Sequence, residues 1–176
     1  MLGIDETLTF IPVRIAVLTV SDTRTLETDT SGALLTQRLQ DAGHALAARK
    51  IITDDPPLIR DCVQSWIDNR DVDVVISTGG TGLTGRDVTP EAIIPLFEKT
   101  IDGFSVIFHQ VSYQSVGLST LQSRAVAGLA KGTFIFCLPG SNGAVKDGWD
   151  KVISHQLDSR HKPCNLVELM PRLMEQ

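Results

Sequence analysis

Three stretches of this chain are apolar at nearly every position instead of every second one: residues 13–20 (VRIAVLTV), 72–78 (VDVVIST) and 133–138 (TFIFCL). A strand with one wet face alternates polar and apolar. Near-continuous, β-branched runs therefore call for a sheet covered on both faces, as parallel sheets are. Parallel neighbours need crossovers of a dozen or more residues, and helical patterns fill the intervals between the runs. Leu34, Leu35, Leu39 and Ala42 recur at helical spacing between the capping oxygens of Thr30-Ser31 and the stop at Gly43. Pro56-Pro57 opens a second helix whose stripe is Leu58, Ile59, Cys62, Val63, Trp66 and Ile67.

A further strand is expected over residues 46–52, and Thr89-Pro90-Glu91 has the form of an N-cap and first helical turn. Residues 101–129 read as mostly helical, and Val145, Trp149, Val152, Ile153 and Leu157 mark a last helix. The expectation is an α/β fold: one domain over residues 1–176, with three layers α/β/α around a mostly parallel central sheet. In the tail, about residues 159–176, the apolar Leu166, Val167, Leu169, Met170, Leu173 and Met174 either pack on the domain or meet another subunit.

Composition removes several classes of function. Lys plus Arg number 16 against 21 Asp plus Glu, a net charge of −5, which argues against a generally basic nucleic-acid binder. Cys62, Cys137 and Cys164 lie far apart with no C-x-x-C pair, so neither a disulfide scaffold nor a thiolate zinc site is expected. His44, His109, His155 and His161 lack metal-ligand spacing, and no Gly-x-Ser-x-Gly elbow is present. No apolar run reaches the roughly 20 residues of a membrane span. The N-terminus, MLGIDETLTFIP, carries two acids and no base, the wrong charge for a signal peptide. A cytoplasmic protein acting on small molecules or proteins, away from membranes, is expected.

The chemistry concentrates at strand ends. Ser77-Thr78-Gly79-Gly80-Thr81-Gly82-Leu83-Thr84-Gly85-Arg86-Asp87-Val88-Thr89-Pro90 links a buried strand to a helix start. Three glycines in four positions let backbone N–H groups approach an anion closely, so a phosphate site is the natural use. The loop is not a P-loop, because Arg86-Asp87 stands where Lys and Ser/Thr belong, and its match to the dinucleotide fingerprint is incidental because Pro90 delays the helix. Asp87 beside a phosphate cradle would repel the ligand unless a divalent cation sat between them. Asp54, after the neighbouring strand, can supply a second carboxylate, and Asp55 is more simply an N-cap. Leu138-Pro139-Gly140-Ser141-Asn142 repeats the strand, glycine turn, helix arrangement; Ser141 and Asn142 are either caps or ligand contacts. Ser21 and Asp22 join the same rim, and Arg124 is either a phosphate clamp or a surface charge.

The loop VVISTGGTGLTGRDVTPEA with a later PGS turn resembles the molybdopterin-binding family of molybdenum cofactor biosynthesis. FIPVRIAVLTVSDTR, DTSG, STLQSRAVAG and RHKPCN are most similar to its protein B branch. The resemblance implies adenylylation of molybdopterin with Mg-ATP and release of pyrophosphate. It places the two family aspartates at Asp54 and Asp87, where they hold or position magnesium, with backbone donors at Gly79, Gly80 and Gly82. Ser21, Asp22, Thr78, Thr81, Pro139, Gly140, Ser141 and Asn142 would line the substrate pocket. A non-catalytic molybdopterin carrier or scaffold is the alternative that the same resemblance allows. It also implies a homo-oligomer, with a hexamer favoured over a trimer.

Overall fold

The apolar runs form the centre of a six-stranded sheet, and the helices between them cover both of its faces. The computed structural model describes residues 2–175. In chain order the elements are β1 (Gly3–Ile4), β2 (Arg14–Val20), α1 (Thr30–Asp41), β3 (Ala45–Ile52), α2 (Pro56–Ile67) and β4 (Val74–Thr78). There follow α3 (Thr89–Ile93), β5 (Lys99–Thr100), α4 (Asp102–Val116), β6 (Val126–Ala130) and β7 (Thr133–Leu138). Last come α5 (Asn142–Gly148), which continues through a π-helical stretch into α6 (Ser154–Leu157), and β8 (His161–Lys162). The main sheet runs in the order β3-β2-β4-β7-β6-β5, and β1 pairs with β8 separately. Strands β3, β2, β4 and β7 are parallel; β6 and β5 extend the sheet antiparallel.

Alternate residues of one strand feed two cores. Ile15 and Val17 of β2 pack with Leu35 and Leu39 of α1, Phe104 and Phe108 of α4, and Trp149 and Ile153 beyond α5. Ala16, Leu18 and Val20 meet Ile59, Cys62, Val63 and Trp66 of α2 and Ala92 and Ile93 of α3 on the other side. This is the three-layer α/β/α expectation in physical form. Leu58 leaves the stripe proposed for α2 and is half exposed. The cap of α1 is Asp29, which accepts from Gly32 N, and not Thr30 or Ser31. In the tail Val167 is buried, Leu166, Met170 and Leu173 pack against the first core, and Leu169 and Met174 are exposed.

One expectation fails in part. Residues 101–129 are mostly helical, but only as far as Gln122: α4 stops at Gly117, whose φ is +60°, a short 3-10 segment follows, and residues 126–130 form β6 instead of helix. Lys131 and Gly132, at φ +46° and +83°, make the two-residue hairpin that turns β6 back along β7. Paired positive φ values of this kind match the right-handed twist of the strands they join. Among the described residues no helix is long and apolar enough to cross a membrane.

Candidate functional site

Sheet order decides where the site lies. From β2 the chain moves outward to β3, then crosses back to β4 on the opposite side, so the loops after β2 and β4 diverge and leave a crevice at their carboxyl ends. A cavity of about 450 Å³ occupies it. Ser21, Asp54, Thr78, Gly79, Gly80, Thr81, Gly82, Asp87, Pro139, Gly140 and Ser141 all line this cavity, bringing four sequence-distant loops together. Asp22 and Asn142 do not. Asp22 lies on an adjoining cavity of about 420 Å³, and Asn142 accepts a hydrogen bond from Thr30 Oγ1 at 3.2 Å.

The glycine turn is built by close approach. Gly79 has φ +103°, and a Cβ there would collide with the Val20 carbonyl; Gly80, at φ +65°, runs beside Thr89 Oγ1 and Asp54. Thr89 closes the turn by donating its N–H to Gly80 O (2.9 Å) and its hydroxyl to Gly79 O (2.9 Å). Its hydroxyl therefore ties the turn instead of capping α3, whose cap position is Val88. Thr78 Oγ1 donates to Pro139 O at 3.0 Å and joins the two strand-end turns. Ser141 both caps α5, accepting from Ala144 N at 3.1 Å, and faces the cavity. Asp55 is the N-cap of α2.

Arg124 fits neither of its two sequence readings. Its Nε donates to Gly82 O (2.8 Å), its Nη2 to Asp87 O (2.8 Å), and its Nη1 pairs with Glu91. The guanidinium is spent on main-chain carbonyls and braces the glycine loop from behind. Asp87 is likewise engaged: its Oδ2 accepts from Thr84 Oγ1 (2.6 Å) and Thr84 N (2.9 Å). The Thr84 hydroxyl above all holds the Asp87 carboxyl below the ordinary carboxylate range, partly against burial.

Asp54 is in the opposite condition. Burial pushes its pKa up, and the neighbouring carboxylates of Asp22 and Asp87 push the same way, with Arg86 opposing. Excess negative charge on a half-buried carboxylate is what a cation would relieve. Among the described residues no three His, Cys, Asp or Glu side chains gather into a metal cage. Magnesium does not need one, since it is commonly held by one or two carboxylates together with substrate phosphates and water. Asp54 and Asp87 fit that mode.

Several contributors have no sequence signal of their own. Arg24, Ser31, Gln122, Ser123 and Arg86 line the cavity. Buried Asp29 holds Thr19, which lines the cavity, accepting from Thr19 Oγ1 (2.7 Å), and also accepts from Gly32 N (2.9 Å) and Arg49 Nη2 (2.9 Å). Burial raises its pKa, but these donors outweigh burial and leave it below the ordinary value. Cys137, fully buried in β7, has its thiol pushed up to about 12 by burial and is inert here.

Known proteins are similar to this chain in sequence and fold. Residues 16–159 match the model of a probable molybdopterin-binding domain. The chain belongs to that family. It is 49% identical over 156 residues to molybdenum cofactor biosynthesis protein B of Escherichia coli strain K12, covering 89% of this chain and 92% of the relative. A crystal structure of a molybdenum cofactor biosynthesis protein B superposes with a TM-score of 0.81 at 43% identity, covering 84% of this chain and 92% of that one. A tungsten cofactor synthesizing protein from Pyrococcus furiosus superposes at 0.73 and 36% identity, over 82% and 92% of the two chains. The family membership and the three-layer fold read from the sequence are thus both borne out, and the protein is one of molybdenum cofactor biosynthesis.

Proposed function

We propose that the protein binds molybdopterin in the crevice after β2 and β4 and adenylylates it with Mg-ATP, releasing pyrophosphate. The observation that carries this reading is the convergence of Asp54 and Asp87 with the Gly79–Gly80 turn on one cavity. A phosphate oxygen of molybdopterin would attack the α-phosphorus of ATP. The new P–O bond forms as the bond to the bridging oxygen breaks, and pyrophosphate leaves with the electron pair. The attacking phosphate is already anionic near neutral pH, so no general base is required, in keeping with a cavity that no histidine lines among the described residues.

The chain's contribution is then positioning and charge. Backbone N–H groups at the glycine turn approach phosphate oxygens, Ser21, Thr81 and Ser141 orient them, and Asp54 and Asp87 are the residues that would hold magnesium. Magnesium supplies neutralisation of charge on the phosphates. Homo-oligomerisation, as a hexamer before a trimer, is part of the same proposal. It is supported by the exposed apolar Val106, Ile107, Tyr113 and Val116 on α4 and Leu118 and Leu121 beyond it.

Pyrophosphate release by purified protein with molybdopterin, ATP and magnesium tests the activity. Release should require magnesium and fall at least about 100-fold in Asp54→Asn and in Asp87→Asn, the size of effect expected when preorganised charge stabilisation is lost. Wild-type protein that binds molybdopterin without releasing pyrophosphate would replace the enzyme with a carrier.

A further inference from the structure

Two arginines bring positive charge to the cavity wall, Arg24 and Arg86, against Asp54 and Asp87. Arg86 is not free. Its Nε donates to Asp22 Oδ2 at 2.9 Å and its Nη2 to Asp22 Oδ1 at 2.8 Å, a two-pronged pairing across the crevice between the glycine loop and the loop after β2. Asp22 Oδ1 also accepts from the Asp54 backbone N–H at 3.1 Å, so the carboxylate is fixed on the rim by the end of β3. The pair stands where the 450 Å³ cavity, lined by Arg86, meets the 420 Å³ cavity, lined by Asp22; Ser21 and Arg24 belong to both.

The two halves of this contact differ in how firmly they are held. Asp22 has a main-chain partner besides Arg86, whereas the Arg86 side chain, 67% exposed, has no bond among the described residues other than those to Asp22. Exposed ion pairs are weak, and an arginine fork on a phosphate has the same geometry as one on a carboxylate with more charge to meet. An anion entering beside Asp54 therefore competes for the guanidinium on favourable terms, and the contact it breaks is the one between the two cavities.

We propose that Arg86 is a displaceable phosphate-binding residue, parked on Asp22 in the free protein and transferred to a phosphate oxygen of the incoming ligand, which joins the two cavities. This rests on the phosphate-site reading above but not on turnover. The fixed donors are the backbone of the glycine turn. Arg86 is the mobile one, and its exchange makes an occupied site differ in shape from an empty one.

The test uses inorganic pyrophosphate with and without magnesium, with the full chain. The Arg86 Nε–H resonance, assigned by its loss in Arg86→Gln, should shift along the same isotherm as calorimetric binding. Arg86→Gln should bind pyrophosphate about tenfold more weakly or worse, as expected for loss of a charge-assisted bond. Asp22→Asn keeps an acceptor for the Asp54 N–H, and it should move the free-state Arg86 signal and tighten binding about two- to fivefold. An Arg86 signal that stays put while pyrophosphate binds overturns the proposal, as do unchanged affinity in Arg86→Gln, weakened affinity in Asp22→Asn, or no pyrophosphate binding at all. Binding with the Arg86 response but without an adenylylated product would retain this proposal and defeat the enzymatic reading. Adenylylation by Arg86→Gln with KM for both substrates and kcat unchanged would do the reverse.

Discussion

The two sides of the crevice are built differently. On the β4 side Asp87 is satisfied by Thr84, the loop carbonyls are held by Arg124, and Thr89 ties the glycine turn from below. On the β2 and β3 side the Asp54 carboxylate has no hydrogen-bond donor among the described residues and only the nearby Arg86 charge opposes its acidic neighbours, and Asp22 and Arg86 pair on the exposed rim. One side is finished before ligand arrives. The other is left electrostatically incomplete, as expected where a cation and phosphates are to be received.

The most damaging way to probe the finished side is Gly79→Ala. The substitution forces a side chain into φ +103° and against the Val20 carbonyl, and urea denaturation should give a stability loss of about 2–4 kcal/mol. A neutral result would mean that the turn is not rigid. Arg124→Ala leaves the Gly82 and Asp87 carbonyls without their donor and should lower stability by about 1–2 kcal/mol by the same assay.

Smaller effects of opposite sign should separate the two carboxylates. The folded pKa of Asp87 is depressed, so its ionised form stabilises the fold at neutral pH and the contribution is lost as pH falls through that lowered value. Asp87→Ala should therefore be less stable than wild type by about 1 kcal/mol at pH 7, with the gap narrowing in acid. Asp54 is the converse. Its raised folded pKa makes stability fall as pH climbs from 3.8 through the raised value, so Asp54→Asn should equal or exceed wild-type stability at pH 7 by less than about 1 kcal/mol. Magnesium with ATP present should reverse that order, since the Asp54 carboxylate gains from the cation and an amide in its place does not. Loss of stability in Asp54→Asn without ligand would erase the contrast between the sides.

The sheet and the glycine turn were legible because their signals are local. Buried β-branched runs announce covered strands, and Gly79-Gly80 before Thr89-Pro90 announces a tight turn into a helix. Strand β6 was not, since VAGLA is short, lacks alternation and follows directly on helical segments. Its one local cue, Lys131-Gly132 between two apolar runs, is a weaker hairpin signal than Asn-Gly. The Asp22–Arg86 pair joins residues 64 apart, and Arg124 reaches 42 residues back to Gly82. Contacts at such separations follow from crossover topology and leave no trace in either segment alone. Asp29 was hidden by its neighbours, because Thr30-Ser31 offer equally good caps on paper.

Single-turnover conversion of molybdopterin, followed by mass spectrometry of the extracted pterin, tests the central claim most directly. Wild-type protein with ATP and magnesium should yield molybdopterin heavier by one adenylyl group, and chelation of magnesium or Asp54→Asn should abolish that species. Recovery of unmodified molybdopterin from wild-type protein that has bound it, with ATP and magnesium present, would contradict the account.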